Sequence, residues 1–239
     1  MADPPEGFIG LYLRVRAIEG RLYDDDIVRE LPETDPGHPL HAEWRMRSAS
    51  CARFVAYVRE QGRDLSVLDC CCGNGWLTRR LAQCPNVSVV GLDWEGPELH
   101  QARRVCSGLR NIRWVAGDAR ALPFAPRSFE MVVIACAIQY VPNLGSFIET
   151  LVPLLAANGE IHILDSPLYE ADQLAAARSR SDAYYGKLGV REMASHYHHH
   201  PVSSLTPFAP DFLYLPSKPR AGEARTDSPF PWIRLRPRS

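Results

Sequence analysis

The sequence has no apolar stretch long enough to cross a membrane. Its longest apolar run covers only residues 131–138, whereas a membrane helix needs about 20 residues. The chain also lacks the basic and apolar stretches of a secretory signal peptide, because residues 1–7 read Met-Ala-Asp-Pro-Pro-Glu-Gly. From these two absences we expect a cytoplasmic protein without a membrane partner.

An excess of charge and a pattern of paired cysteines are missing as well. Lysine and arginine number 27 against 28 acidic residues, so the net charge is −1, and a broad surface for nucleic acid is not expected. The seven cysteines include no Cys-x-x-Cys pair, and three are consecutive at residues 70–72. We therefore expect buried thiols in a reducing compartment rather than disulfides or a metal site.

What the chain does have is a strand, a glycine turn and a helix in immediate succession. Residues 67–82 read Val-Leu-Asp-Cys-Cys-Cys-Gly-Asn-Gly-Trp-Leu-Thr-Arg-Arg-Leu-Ala, in which an apolar run ends at Asp69 and Gly73 and Gly75 form the turn. Glycine lets the backbone approach a ligand closely, and the first N–H groups of the following helix point into the turn. This pattern is typical of a nucleotide-binding corner.

The acid at the end of this strand distinguishes between two classes of cofactor. A dinucleotide fingerprint has a third glycine where this chain has Thr78, and Asp69 would repel a pyrophosphate. A carboxylate suits instead a ligand with a cationic, methionine-like end. The segment resembles motif I of the class I S-adenosylmethionine (SAM)-dependent methyltransferases, with Cys71 at the first glycine position.

Two further strands are predicted at residues 87–93 and 111–119, and each of them also runs into an acid. The three acids are Asp69, Asp93 and Asp118. They lie about 25 residues apart, the length of one strand–helix unit with its loops. The resemblance implies that the second acid accepts two hydrogen bonds from the ribose hydroxyls, and that the third accepts one from the adenine amino group.

The cofactor is therefore expected to be SAM, held by ten residues. They are Arg47, Asp69, Cys71, Gly73, Gly75, Asp93, Trp94, Asp118, Ala119 and Cys136. Among them Trp94 would cover the adenine, and Arg47 would reach the site from the N-terminal part of the chain.

The strands together indicate an α/β protein. A fourth strand is predicted at residues 128–136, a fifth at 158–165, and two short ones at 211–215 and 231–235. The resemblance implies a Rossmann-like, doubly wound, mostly parallel sheet of seven strands, whose last strand is antiparallel and lies between the fifth and sixth. Residues 65–239 would form this SAM-binding domain as a single globular unit.

Residues 1–64 precede the sheet and are predicted to form an N-terminal helical lid. Residues 41–61 carry apolar side chains on one helical face, and residues 10–30 form a weaker amphipathic stretch. Prolines between these two stretches suggest a hinge, so we expect residues 1–40 to close over cofactor and acceptor. Side chains that the lid could add to the site are Tyr12, Tyr23, Arg45 and Arg47.

Residues that act on the methyl acceptor are expected where the fourth and fifth strands end. The candidates there are Gln139, Tyr140, Asp165 and Ser166. A general base is needed only when the acceptor carries a proton that must leave. Asp165 could instead cap the helix that follows it.

Four histidines at residues 196 and 198–200 leave three interpretations open. Alternate residues of a strand, His196, His198 and His200, would share a face and could bind zinc. One of them, such as His198, could line the substrate site or act as a base, or the segment could be structural. Because no acid or cysteine is close in sequence, we expect no metal.

The expected activity is SAM-dependent methyl transfer to a small-molecule metabolite, with the acceptor atom left open between O, N and C. The chain lacks the Asn-Pro-Pro-aromatic signature of amino-methylating DNA and protein-glutamine enzymes and the Pro-Cys of cytosine-C5 enzymes. One alternative is an enzyme of this fold that uses SAM for a cyclisation or decarboxylation. Another is a non-catalytic SAM-binding partner subunit. The sequence does not predict the oligomeric state.

Overall fold

Seven strands form one sheet in the order β3-β2-β1-β4-β5-β7-β6, in a computed structural model that describes residues 7–217 and 225–237. The strands are β1 (Leu65–Cys70), β2 (Val87–Asp93), β3 (Ile112–Ala116), β4 (Phe129–Ala135), β5 (Leu155–Leu164), β6 (Pro210–Tyr214) and β7 (Trp232–Leu235). The first five are parallel, and β7 is antiparallel to both neighbours. The predicted topology, including the antiparallel last strand between the fifth and sixth, is confirmed.

Seven α-helices flank or precede the sheet. They are α1 (Phe8–Ile18), α2 (Asp25–Glu30), α3 (His41–Glu60), α4 (Trp76–Ala82), α5 (Pro97–Val105), α6 (Leu144–Leu151) and α7 (Leu174–Lys187). Short 3₁₀ helices follow β4 at Ile138–Tyr140 and α7 at Arg191–His196. In the described ranges no helix has both the length and the apolar character that a membrane span requires.

Several predicted segments have different bounds in the structure, and two of these differences bear on the site. The single amphipathic stretch over residues 10–30 is wrong, because α1 ends at Ile18 and Gly20 takes a left-handed φ of 66°. The third strand was predicted to extend to residue 119 but ends at Ala116. It ends there because the next residues turn: the Arg120 N–H donates to Asp118 Oδ1 at 2.8 Å.

The sheet buries both of its faces, as expected for parallel strands. On one face Leu68 and Ile134 pack against α6, and on the other Val67 and Val133 pack against α3 and α4 through side chains such as Phe54. The N-terminal segment thus divides between two environments. α3 belongs to the core of the sheet, whereas α1 packs on α7 and the 3₁₀ helix after it.

The chain order reverses between β1 and β4, which are neighbours although β2 and β3 lie on the other side of β1. At such a switch point the loops leaving the two strands diverge and open a crevice at the carboxyl ends of the strands. The loops that follow β1, β2, β4 and β5 meet at this edge, and α1 lies across it.

Candidate active site

A cavity of about 580 Å³ opens at this edge of the sheet, within the range of small-molecule sites. The turn after β1, the ends of β2, β4 and β5, and the loop after β3 supply one side. α1 and α7 supply the other. Of the predicted cofactor residues, those that line the cavity are Arg47, Cys71, Gly73, Asp93, Trp94, Asp118, Ala119 and Cys136.

The turn after β1 follows a left-handed path at Cys71, Gly73 and Gly75, with φ angles of 65°, 54° and 76°. A Cβ on Gly75 would lie 2.6 Å from the Trp114 ring, so only glycine fits there. A Cβ on Gly73 would meet nothing nearer than 4.0 Å, which leaves open space beside the backbone. Gly75 thus lets the turn pack against Trp114, whereas Gly73 faces the cavity.

Asp69 lies beneath the turn, buried, and does not line the cavity. Its Oδ2 accepts a hydrogen bond of 2.5 Å from Thr78 Oγ1, which ties the end of β1 to α4. Burial raises the pKa of Asp69 to about 6. Asp69 thus stabilises the turn through α4. Direct contact between Asp69 and a ligand stays a prediction.

Asp93 faces the cavity and is held by the backbone. Its Oδ2 accepts from the Gly73 N–H at 2.6 Å and its Oδ1 from the Trp94 N–H at 2.7 Å. A carboxylate oxygen can accept more than one hydrogen bond, so both oxygens can also accept from a ligand. Burial raises the pKa of Asp93 to about 7, and the nearby Glu98 contributes in the same direction.

Asp118 also faces the cavity but already has a cationic partner. Its carboxylate accepts from Arg120 Nη2 at 2.7 Å and from Arg120 Nε at 2.9 Å, and the guanidinium lies 6.0 Å from the Trp94 ring centroid. Burial alone would raise the pKa of Asp118, but the hydrogen bonds from Arg120 lower it. A ligand that contacts Asp118 must share this carboxylate with Arg120.

Three polar groups meet where β4 and β5 end. Cys136 has a φ of 56° and a thiol whose pKa burial raises to about 11, so it is protonated at neutral pH. Arg47, a residue of α3, reaches the same place. Its Nη2 donates to Glu43 of the same helix at 2.7 Å. Asp165 Oδ1 accepts from Ser228 Oγ at 2.6 Å, and burial raises its pKa.

The predicted residues after β4 lie in the 3₁₀ turn that borders the cavity. Gln139 Nε2 donates to the Cys136 carbonyl at 2.6 Å, which fixes the amide orientation. Burial raises the pKa of Tyr140, so its hydroxyl keeps its proton at neutral pH. Ser166 donates to the Leu164 carbonyl and does not line the cavity.

The histidine segment does not form a strand, so the zinc arrangement on one strand face is wrong. His196 and His198 line the cavity. His199 Nε2 lies 2.9 Å from Ser181 Oγ, and the His200 Nε2–H donates to the Ile138 carbonyl at 2.9 Å. Within residues 7–217 and 225–237 no three potential metal ligands come together.

An aromatic wall, which sequence reasoning missed apart from Tyr12 and Tyr140, faces the cofactor side. Its members, which include two more tyrosines of α7 and the histidine loop, are Phe8, Tyr12, Tyr140, Tyr185 and Tyr197. The Tyr12 and Tyr140 rings meet edge to face at 5.5 Å between centroids, and those of Tyr140 and Tyr197 at 6.1 Å. The only local signal in the sequence is the adjacent pair of tyrosines at residues 184 and 185.

Two other lid residues were predicted for the site and lie elsewhere. Tyr23 is buried in a small core, where its Oη accepts from Trp44 Nε1 at 3.0 Å. Arg45 is not among the side chains that border the cavity. The additional arginine that borders the cavity is Arg16 of α1. Its Nη2 donates to Glu98 Oε1 at 3.2 Å. The two residues are 82 positions apart, so no local pattern could have paired them.

Residues 67–159 match the model of a methyltransferase domain. The chain is 37% identical over 128 residues to a 2-phytyl-1,4-naphtoquinone methyltransferase of Thermosynechococcus vestitus, covering 53% of this chain and 54% of that protein. It is 33% identical over 119 residues to a demethylmenaquinone methyltransferase of Lactobacillus johnsonii, covering 48% of each. The chain thus spans about half the length of the curated relatives it matches.

Solved structures share the fold at lower identity. A candidate sarcosine dimethylglycine methyltransferase from Galdieria sulphuraria superposes with a TM-score of 0.60 at 16% identity, covering 86% of this chain and 76% of that one. The YcgJ protein of Bacillus subtilis superposes with a TM-score of 0.54 at 18% identity, covering 68% and 71%. At these identities the likeness extends to the fold alone.

Proposed function

We propose that this chain, in which residues 67–159 match the model of a methyltransferase domain, binds SAM and transfers its methyl group to a small, flat, largely apolar molecule. The observation that carries the proposal is the two-sided cavity. One side presents backbone-held carboxylates beside a glycine turn, and the other presents an aromatic wall.

The residues of the first side fit the adenosyl part of SAM. Asp93 would accept from the ribose hydroxyls, because both of its oxygens are positioned by backbone N–H groups and retain free lone pairs. Trp94 would cover one face of the adenine, and the open space at Gly73 would admit the methionine part. Arg47 would attract the methionine carboxylate. When bound, SAM supplies a methyl group already activated by its sulfonium.

The aromatic wall supports the acceptor assignment. Aromatic side chains pack well against flat rings through edge and face contacts, and Phe8, Tyr12 and Tyr140 offer such surfaces within one cavity. The two relatives are named for a naphthoquinone and for demethylmenaquinone. We extend this class of compound, a lipophilic quinone or hydroquinone ring, to the acceptor of this chain.

The chain's own contribution would be placement and exclusion of water. A methyl acceptor held in line with an activated methyl group reacts much faster than one that diffuses freely. α1 lies over the cavity with Phe8, Tyr12 and Arg16 turned toward it, and we propose that it acts as a lid. α2 is not part of the moving unit in this proposal, because Gln101 and Arg80 hold the flanking backbone at Tyr23 and Leu31.

The function is tested by incubating the protein with SAM and a panel of quinols, phenols and amines, and by measuring S-adenosylhomocysteine release together with product mass. We expect S-adenosylhomocysteine and a product heavier by one methyl group with a quinol. A changed product without S-adenosylhomocysteine would favour the non-methylating alternative, and binding without turnover would favour a partner subunit. In calorimetry NAD should bind more weakly than S-adenosylhomocysteine, and the reverse order would refute the cofactor assignment.

A further inference from the structure

A second, smaller cavity of about 440 Å³ adjoins the main one and shares a wall with it. Three residues border both cavities: Pro142, Tyr197 and His198. The smaller cavity is otherwise lined by polar groups such as Arg178 and Asp182 of α7, Ser195 and His199. Apolar and aromatic side chains dominate the acceptor side of the main cavity, so the shared wall separates an apolar space from a polar one.

Of the three wall residues only His198 can exchange a proton near neutral pH. Proline has no titratable group, and burial strongly raises the pKa of Tyr197, which therefore keeps its proton. Burial, followed by the neighbouring His200 and His196, lowers the pKa of His198. Its imidazole is therefore neutral at pH 7, the form that accepts a proton.

The position of His198 is fixed while its ring is left free. The His198 backbone N–H donates to the Gln139 carbonyl at 2.6 Å, which anchors the residue beside the turn that follows β4. By contrast, the rings of His199 and His200 lie within hydrogen-bond distance of Ser181 Oγ and the Ile138 carbonyl. No hydrogen bond to the His198 ring exists within the described ranges, so its nitrogens are available to a ligand and to water.

The charged and titratable groups around this ring come from three elements. Arg178 and Asp182 of α7 face it across the smaller cavity, and Tyr140 borders the main cavity from the turn after β4. His196 and His200 flank it in its own loop, with the His200 ring centroid at 6.4 Å. Asp182 is the one acid in this set, and it is exposed and lies 3.7 Å from Arg191, so no carboxylate fixes His198 in its charged form.

We propose that His198 carries the proton of the methyl acceptor out of the main cavity and releases it to water in the smaller one. This inference rests on the proposed methyl transfer. The acceptor oxygen or nitrogen bonds to the methyl carbon, the carbon–sulfur bond breaks with its electron pair on sulfur, and the acceptor's proton goes to a ring nitrogen of His198. The imidazolium then gives that proton to water and becomes neutral again.

The need for such a path follows from the lid. With α1 across the opening, bulk water is kept from the reacting atoms, which favours the reaction but also removes the solvent that would take up the proton. The tyrosines of the wall cannot take it, because they are already protonated. The smaller cavity lies beside the acceptor site and does not include any residue of α1, so it stays open when α1 is closed.

The test uses His198→Gln, with His100→Gln on the exposed face of α5 as the matched control. Burial also lowers the pKa of His162, His199 and His200, so the distinguishing signal is solvent exchange. Imidazole NMR of the full chain bound to S-adenosylhomocysteine should show, among the rings that titrate below the ordinary histidine range, one that exchanges rapidly with solvent, and only His198→Gln should remove it. A His198 ring that stays shielded from solvent, or that titrates at or above the ordinary range, would overturn the proposal.

The kinetic arm separates the proton path from binding and folding. With a naphthohydroquinone acceptor and SAM held at saturation at every pH, His198→Gln should slow S-adenosylhomocysteine formation about a hundredfold and abolish the acidic limb of the pH profile, with unchanged affinity for S-adenosylhomocysteine. Ser195→Phe, which places a large side chain at a position that borders the smaller cavity and not the main one, should also slow turnover. Unchanged rates in both variants would refute the path. If the parent protein transfers no methyl group, the proposed function fails, whereas the NMR result still decides the role of His198.

Discussion

Asp93 combines a polar function with a half-buried position at the wall of the cavity. Two backbone N–H groups hold its carboxylate, yet burial keeps its pKa near 7. This balance means that a proton and a ligand compete for the same oxygens. The residue therefore gives two measurable expectations, one for its removal and one for pH.

Replacing Asp93 by alanine should weaken S-adenosylhomocysteine binding at least tenfold. Hydrogen bonds to a charged group typically contribute about 1.5–3 kcal/mol each, and the variant loses those to the ribose. Calorimetry measures the change, and Glu95→Ala, an exposed acid two positions away that pairs with Arg103, should bind like the parent. An affinity within twofold of the parent would place the ribose elsewhere.

Affinity for S-adenosylhomocysteine should also rise with pH up to about 7. Because the folded-state pKa of Asp93 is raised to about 7, the carboxyl is protonated below that pH and must lose its proton to accept from the ribose. Affinity should therefore fall by up to about tenfold for each pH unit below 7. The same raised pKa means that the carboxyl stabilises the unliganded fold at low pH, and that this contribution is lost as pH rises through about 7.

Titrating ligand into the protein at pH 5.5, 6.5 and 7.5 checks this dependence, and Asp93→Asn should abolish most of it. Asp69 also has a raised pKa, of about 6, but does not line the cavity. Its titration should therefore have little effect on the affinity for the ligand. If Asp93→Asn kept the full pH dependence, another group would be responsible.

Sequence reasoning found the three strand-end acids by their common spacing, and the structure shows that each has different partners. Their spacing was sufficient to find the edge of the sheet where they lie. Their individual partners were not predictable: Thr78 lies below Asp69, the Gly73 N–H reaches Asp93, and Arg120 folds back onto Asp118. The partner of each acid depends on the exact residue at which the following turn begins. The periodicity of the sequence does not determine that residue.

Among the elements, α1 combines a position over the cavity with few fixed attachments. Its apolar face packs Val15 against Val190 and Met193, and its polar ties are Arg16 to Glu98 and, at its end, Glu19 to Tyr184. The first contact is a partly exposed ion pair and the second a hydrogen bond from the Tyr184 hydroxyl, and single contacts of these kinds contribute on the order of 1 kcal/mol each. An element held in this way can open at modest cost in free energy.

Bound S-adenosylhomocysteine should protect α1 from limited proteolysis. Trypsin can cut after Arg14, which is exposed on α1, and ligand contacts with Tyr12 and Arg16 should hold the helix closed and slow this cleavage several-fold. Cleavage after Arg63, in the loop between α3 and β1 and away from the cavity, should be independent of ligand. Equal rates at Arg14 with and without ligand would leave α1 as a fixed wall rather than a lid.

The elements were predicted unequally well for a physical reason. The strands are recognisable because burial on both faces demands continuous apolar runs such as residues 131–134. α1 buries its apolar face against residues about 175 positions later in the chain, so its pattern is weak and it merged with α2 in the prediction. The division into lid and domain at residue 64 stays a prediction, with α3 packed against the sheet.

Across the whole molecule, each acid that lines the cavity already has its own partner. Arg16 binds Glu98, Arg120 binds Asp118, Ser228 binds Asp165, and backbone N–H groups bind Asp93. A divalent cation of the magnesium type requires several oxygen ligands that converge on one point. The acids of this cavity are dispersed around it instead.

Methyl transfer should therefore survive exhaustive dialysis against a chelator. The dispersed carboxylates offer no joint site for a hard cation, and His199 and His200 are engaged by Ser181 and the Ile138 carbonyl. The measurement is S-adenosylhomocysteine release before and after dialysis, with added magnesium or zinc as the control. Loss of activity and rescue by one divalent ion would contradict this expectation and direct attention to His196 and His198.

The position of β7 has a consequence for how the protein comes to be made. This strand fills the slot between β5 and β6, and the segment that leads into it brings Ser228 to Asp165 and Phe230 to the cavity wall. During synthesis, β5 must wait with an unpaired edge, a surface prone to aggregation, until residues 232–235 leave the ribosome. Because Ser228 and Phe230 complete the site only when this segment is in place, we expect SAM to stabilise the fold only after β7 has joined the sheet.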